Sequence, residues 1–199
     1  MQPGSSPQEV AELEIALEQA RRVPAFRALL LLCWSLIMAK CLLIQWTIIT
    51  YHAPINGVAF VWVPSLSVSA LISIYYARKI FHELPHMPLS GRVVSATWLA
   101  CAAAFIVLIL AVGFYREFSA YLLPALAAVL LGVGCFIQSA TGRRTLFKLI
   151  ACGWWLAALW LFAHPNIDAL AWMSLFIVLL QALPATGFYL AARRAARAI

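Results

Sequence analysis

Residues 28–51 read ALLLLCWSLIMAKCLLIQWTIITY, a run in which a single lysine is the only charged side chain. A helix needs about 20 largely apolar residues to cross a bilayer, so this run predicts a transmembrane span. Working outward, five more apolar runs follow at 57–77, 94–114, 118–138, 145–163 and 167–191, separated by short polar connections. Over the whole chain 65% of residues are hydrophobic and 11% charged, and the mean hydropathy is +0.93. A soluble domain with a water-facing surface could not tolerate that balance. The expected fold class is all-α: a polytopic, six-transmembrane-helix bundle with a short amphipathic helix ahead of it. Three parts are expected: an N-terminal segment 1–27, the membrane domain 28–192 and a basic tail 193–199. No separate signal peptide is expected, because the first apolar run is already full length and follows 27 mixed residues.

The charges support the count of six. Arg21, Arg22 and Arg27 precede the first run, and Arg78, Lys79 and Arg92 flank the second connection. Arg143, Arg144 and Lys148 flank the fourth, and Arg193, Arg194 and Arg197 follow the last run. With six spans, all of these fall on one side; of the 14 basic residues only Arg116 and Lys40 are left over. Basic loops are retained in the cytoplasm during insertion, so both termini are expected there, in a bacterial inner or equivalent cell membrane. The net charge of +7 is then a topology signal that also suits anionic lipid heads, and no nucleic-acid partner is expected. The 5 cysteines lie inside the apolar runs without a C-x-x-C pair and are expected to be free, buried thiols.

Ser6-Pro7-Gln8-Glu9 has the serine, proline and glutamate spacing of a helix start. Val10, Leu13 and Leu17 then share one face, so an amphipathic helix over about 7–22 is expected, ending before Pro24. Those three residues are the candidate docking surface for a cytoplasmic partner; the plainer alternative is a helix lying on the bilayer.

Residues 82–86, HELPH, spell H-E-x-x-H, which on a helix places two imidazoles and a glutamate as in zinc metalloproteases. Pro85 disfavours that helix, and no third ligand lies on the same side, so His82 and His86 are weak metal candidates only. His52 and His164 each close an apolar run beside a proline turn, where two imidazoles could meet and sense pH or hold a metal.

Lys40 is the sharpest single residue. Counted from Arg27 to His52 it falls near the middle of the first span, too deep to reach either interface, and is expected to face the bundle interior. Cys33, Lys40, Thr47 and Tyr51 lie along one stripe of that helix. No acid lies in any apolar run, so the ammonium must find hydroxyls, amides, freed carbonyls, water or an incoming anion. Span two offers Ser65, Ser69 and Ser73 at intervals of four. Span six offers Ser174 and Gln181, with Pro184 freeing the carbonyl of Leu180. These residues are expected to form a polar pocket between spans one, two and six, with Lys40, Thr47, Ser69 and Gln181 as candidate ligand-binding residues. Ala96, Ala100 and Ala104, and Ala120, Pro124, Ala128 and Gly132, are spaced as packing surfaces for the monomer or a homo-oligomer. Trp154 and Trp155 are expected to fill the core, and Trp160 to sit at the interface.

There is no internal repeat, phosphate loop or nucleophile motif. The expected function is non-enzymatic and without cofactor: an accessory, regulatory or sensing membrane subunit. The alternative is a small carrier or channel for an anionic or proton-coupled solute, and a zinc protease comes third.

Overall fold

The computed structural model describes residues 7–83, 89–114, 119–142 and 145–197. Among these the chain is helical with no strand: α1 (Pro7–Thr50), α2 (Val63–Glu83), α3 (Leu89–Phe114), α4 (Leu123–Gly142), α5 (Thr145–Ala163), α6 (Ala169–Ile177) and α7 (Leu183–Arg197). Six stretches are long and apolar enough to cross a membrane: Ala28–Thr50, Val58–Tyr75, Arg92–Phe114, Ala120–Ala140, Thr145–Ala163 and Ala169–Arg194. They match the six runs read from the sequence to within a few residues.

One expected boundary is wrong. The first helix begins at Pro7, as its capping pattern asks, but it does not stop before Pro24; it continues unbroken to Thr50. An interior proline removes one backbone hydrogen bond, and strong helix formers on both sides carry the helix through that single loss. What the side chains of Val10, Leu13 and Leu17 face lies outside the described residues.

The two prolines inside α2 and the last span have a different effect. Pro64 follows a π-helical turn, Val58–Trp62, and Pro184 follows another, Val178–Ala182. A proline ring clashes with the carbonyl four residues back, here Phe60 or Leu180, and widening the helix at that point relieves the clash. The wider turns are closed by Val63 N–H donating to the Val58 carbonyl and Leu183 N–H to the Val178 carbonyl.

Four spans build the core. The α4–α5 hairpin packs along its length, and α1 runs antiparallel to α6 and α7. Ser174 Oγ donates to the Ala39 carbonyl at 2.9 Å and Trp46 Nε1 to Asp168 Oδ1 at 3.1 Å, which pins that antiparallel register at two levels. Trp154 (0% exposed) and Leu161 (1%) fill the centre among Leu42, Ala128, Met173 and Ile177. Phe147 of α5 stacks on Phe188 of α7 at 5.2 Å between ring centres.

The remaining two spans are peripheral. In the α5 span 39% of residues are buried, against 6% in the α2 span and 0% in the α3 span. α2 leans on α1, and α3 on α4. The two stripes of small residues therefore part company. Ala120 is exposed, but Pro124, Ala128 and Gly132 are buried in the α4–α5 hairpin, where a β-carbon on Gly132 would collide with the Trp155 indole. Ala96, Ala100 and Ala104 are all exposed, and α3 instead holds α4 through Trp98 over Gly134 and through Cys101 Sγ, 3.6 Å from the Leu130 carbonyl.

Candidate functional site at the Lys40 seam

The α1–α2 contact is narrow, and polar side chains cross it at successive levels. Trp34 Nε1 donates to Ser73 Oγ at 2.8 Å. Two turns along α1, Lys40 Nζ donates to Ser65 Oγ at 3.3 Å, and beside it Cys41 Sγ lies 4.0 Å from the Val61 carbonyl. At the fourth level the Gln45 side chain fills the space left by the missing side chain of Gly57, and its Oε1 is buried without a partner among the described residues. The hydroxyl seam foreseen on α2 is thus real, and it faces α1. Ser69 and Ser73 also donate back to the Ser65 and Ser69 carbonyls, each at 2.7 Å, which leaves them satisfied in an apolar setting.

Lys40 does not face the bundle interior. It is exposed, as are Cys33 and Tyr51 on the same stripe. The physical reason lies one residue away. The interior face of α1 is made by Ala28, Ser35, Ala39 and Leu42, all buried, and each step along a helix turns about 100°, so the residue after Ala39 points along the flank. α2 meets that flank at Ser65, which accepts from the Lys40 nitrogen.

The three-span pocket does not assemble either. Lys40, Ser65 and Ser69 come together, whereas Thr47 donates to the Ile44 carbonyl of its own helix at 2.7 Å. Ser174, bonded to the Ala39 carbonyl, meets the interior face of α1, away from the exposed Lys40. Gln181 is two turns further along the last span, about 10 Å down the axis. There it lines a cavity of about 10 Å³ with Leu31, Gln138 and Pro184, room for about one water molecule.

The end of the bundle that carries the α1–α2 turn has a roomier feature. An open cleft of about 590 Å³ is lined by Thr50, His52, Tyr121, Asn166 and Asp168, among others. His52 has a φ of 49°, because it closes α1: its N–H donates to the Ile49 carbonyl and the next N–H, of Ala53, to that of Ile48. Glycine is the usual residue at such a closure, so nothing in the sequence announced it. His164 is at the same end, yet it does not line the cleft; its ring rests 4.3 Å from that of Trp160, and its Nδ1 lies 3.0 Å from the Trp160 carbonyl. Among the described residues no group of three or more histidine, cysteine, aspartate or glutamate side chains is placed to hold a metal. α2 runs to Glu83 and so includes the backbone of His82, while His86 lies outside the described residues.

No family, no curated protein and no solved structure matches this chain. Sequence reasoning had missed the neighbours of Lys40. Leu29, Leu36 and Leu43 are exposed beside it, at 38%, 51% and 47%. The signal was their spacing of seven, interleaved with Cys33 and Lys40 by fours and threes.

Proposed function

We propose that the chain is a non-enzymatic integral membrane subunit, accessory or regulatory, that works by binding other proteins rather than by transporting a solute. The observation that supports this reading is the position of Lys40, exposed on the flank of the bundle at mid-span with one hydroxyl as its neighbour. A carrier lysine would line an interior path. A lysine on the flank is available to a protein alongside. In this reading the termini are cytoplasmic, the membrane is a bacterial inner or equivalent cell membrane, and residues 7–27 form an arm for a cytoplasmic partner. The arm is one continuous helix with the first span, about 30 Å of it before Ala28, so a partner held by the arm is linked directly to that span.

The carrier reading keeps one supporting observation, the cleft that gathers His52, Tyr121 and Asp168. Two measurements separate the readings. Mass spectrometry of the gently solubilised complex is expected to show a heteromer that loses a component when residues 1–24 are deleted. Solute uptake into reconstituted vesicles that disappears in Lys40→Met would instead make the chain a carrier and overturn the subunit reading.

A further inference from the structure

Resting on the subunit reading, the Lys40 flank also specifies the chemistry of the partner. Its nitrogen cannot reach water along α1: Thr50 is about 15 Å away along the helix and Ala28 about 18 Å, more than a four-carbon stem can cross. Ser65 Oγ accepts one of its three protons at 3.3 Å, and a hydroxyl cannot neutralise a charge. Nor does the chain hold a counter-ion. Its 7 acidic residues are Glu9, Glu12, Glu14, Glu18, Glu83, Glu117 and Asp168, and every one lies outside the six spans. A second copy would therefore bring no acid to this depth, and pairing the same face would bring a second ammonium instead.

The shape of the face points to a helix. Leu29, Cys33, Leu36, Lys40 and Leu43 are all exposed, and they follow one another by four, three, four and three residues. That is the spacing of a left-handed helix–helix seam, in which a single polar position fixes register and partner choice. We infer that this face docks a transmembrane helix of a different protein, one that carries an aspartate or glutamate in the layer opposite Lys40. The carboxylate accepts from the Lys40 ammonium. Ser65, whose oxygen already accepts from Lys40, carries a hydroxyl proton that the same carboxylate can accept.

The test uses the full chain, fluorescently labelled and reconstituted in phosphatidylcholine vesicles, with Leu/Ala-rich transmembrane peptides of about 20 residues bearing a central Asp, Asn or Leu. Energy transfer is expected to show the Asp peptide associating about tenfold more tightly than the Asn or Leu peptide. Lys40→Arg should keep that preference and Lys40→Met should abolish it. Equal association of all three peptides, or a preference that survives Lys40→Met, overturns the inference. So does chain–chain transfer that is lost in Lys40→Met, which would give the face to a second copy. The failures are distinguishable from that of the subunit reading: a heteromer without an Asp preference removes only the acid, whereas uptake dependent on Lys40 removes the subunit itself.

Discussion

Lys40→Leu is expected to make insertion of the first span more favourable by about 3–4 kcal/mol, the sum of what a central lysine costs and a central leucine contributes on insertion scales. Residues 28–50, placed in a host protein whose glycosylation reports insertion, provide the measurement. The size of the change reports depth, because the same exchange near an interface has little effect. A shift below about 1 kcal/mol would put Lys40 close to the headgroups and remove the basis for the docking face. In the full chain the same variant should leave the folded bundle nearly unchanged, since Lys40 is exposed and makes one hydrogen bond, to Ser65, among the described residues. A residue that hinders insertion and contributes little to packing is expected to be kept for what it binds.

The second large effect concerns the core. Trp154→Ala is expected to cost about 3 kcal/mol of bundle stability, measured by reversible unfolding in mixed micelles of dodecylmaltoside and SDS. This lies at the low end for such a truncation, because lipid is as apolar as the interior and only the cavity contributes. Trp154 is fully buried, and its Nε1 has no hydrogen-bond partner among the described residues. Trp154→Phe is therefore expected to cost less than about 1 kcal/mol, since it keeps most of the volume and removes an unsatisfied donor. If Trp154→Ala were as mild as Trp154→Phe, the α4, α5 and α6 packing described above would be incorrect.

The six spans were legible in the sequence because apolar length alone requires them, and no tertiary information enters that inference. The effect of Pro184 was half legible. Its freed carbonyl follows from the ring's missing N–H, while the π turn that accommodates it depends on the helix around it. The orientation of Lys40 was not legible, because periodicity shows which residues share a stripe but not which stripe a neighbour covers. Cys33, Lys40 and Tyr51 are all exposed, and that stripe faces outward because Ala28, Ser35, Ala39 and Leu42 form the buried side of α1, with Ala39 bonded to Ser174 of the last span. The alanine stripe of α3 and the Pro124–Ala128–Gly132 stripe of α4 illustrate the same limit. The two have similar spacing, yet only the second meets a helix in the monomer. Gln181 and Lys40 both lie deep in their spans, and depth alone cannot separate them; antiparallel packing set at Ser174 and Ala39 places Gln181 near Leu31 instead.

What surrounds position 40 when the chain is alone in a bilayer decides whether the flank of α1 is a docking face. A nitroxide at Lys40→Cys, in a background with the five native cysteines replaced, reports this by its collisions with oxygen and with a water-soluble nickel chelate. High oxygen and low nickel accessibility is the expected result, the signature of a site that faces hydrocarbon at mid-depth. Low accessibility to both reagents would bury the position inside the bundle, and high nickel accessibility would place it in an aqueous path; either would contradict a docking face on the flank of α1.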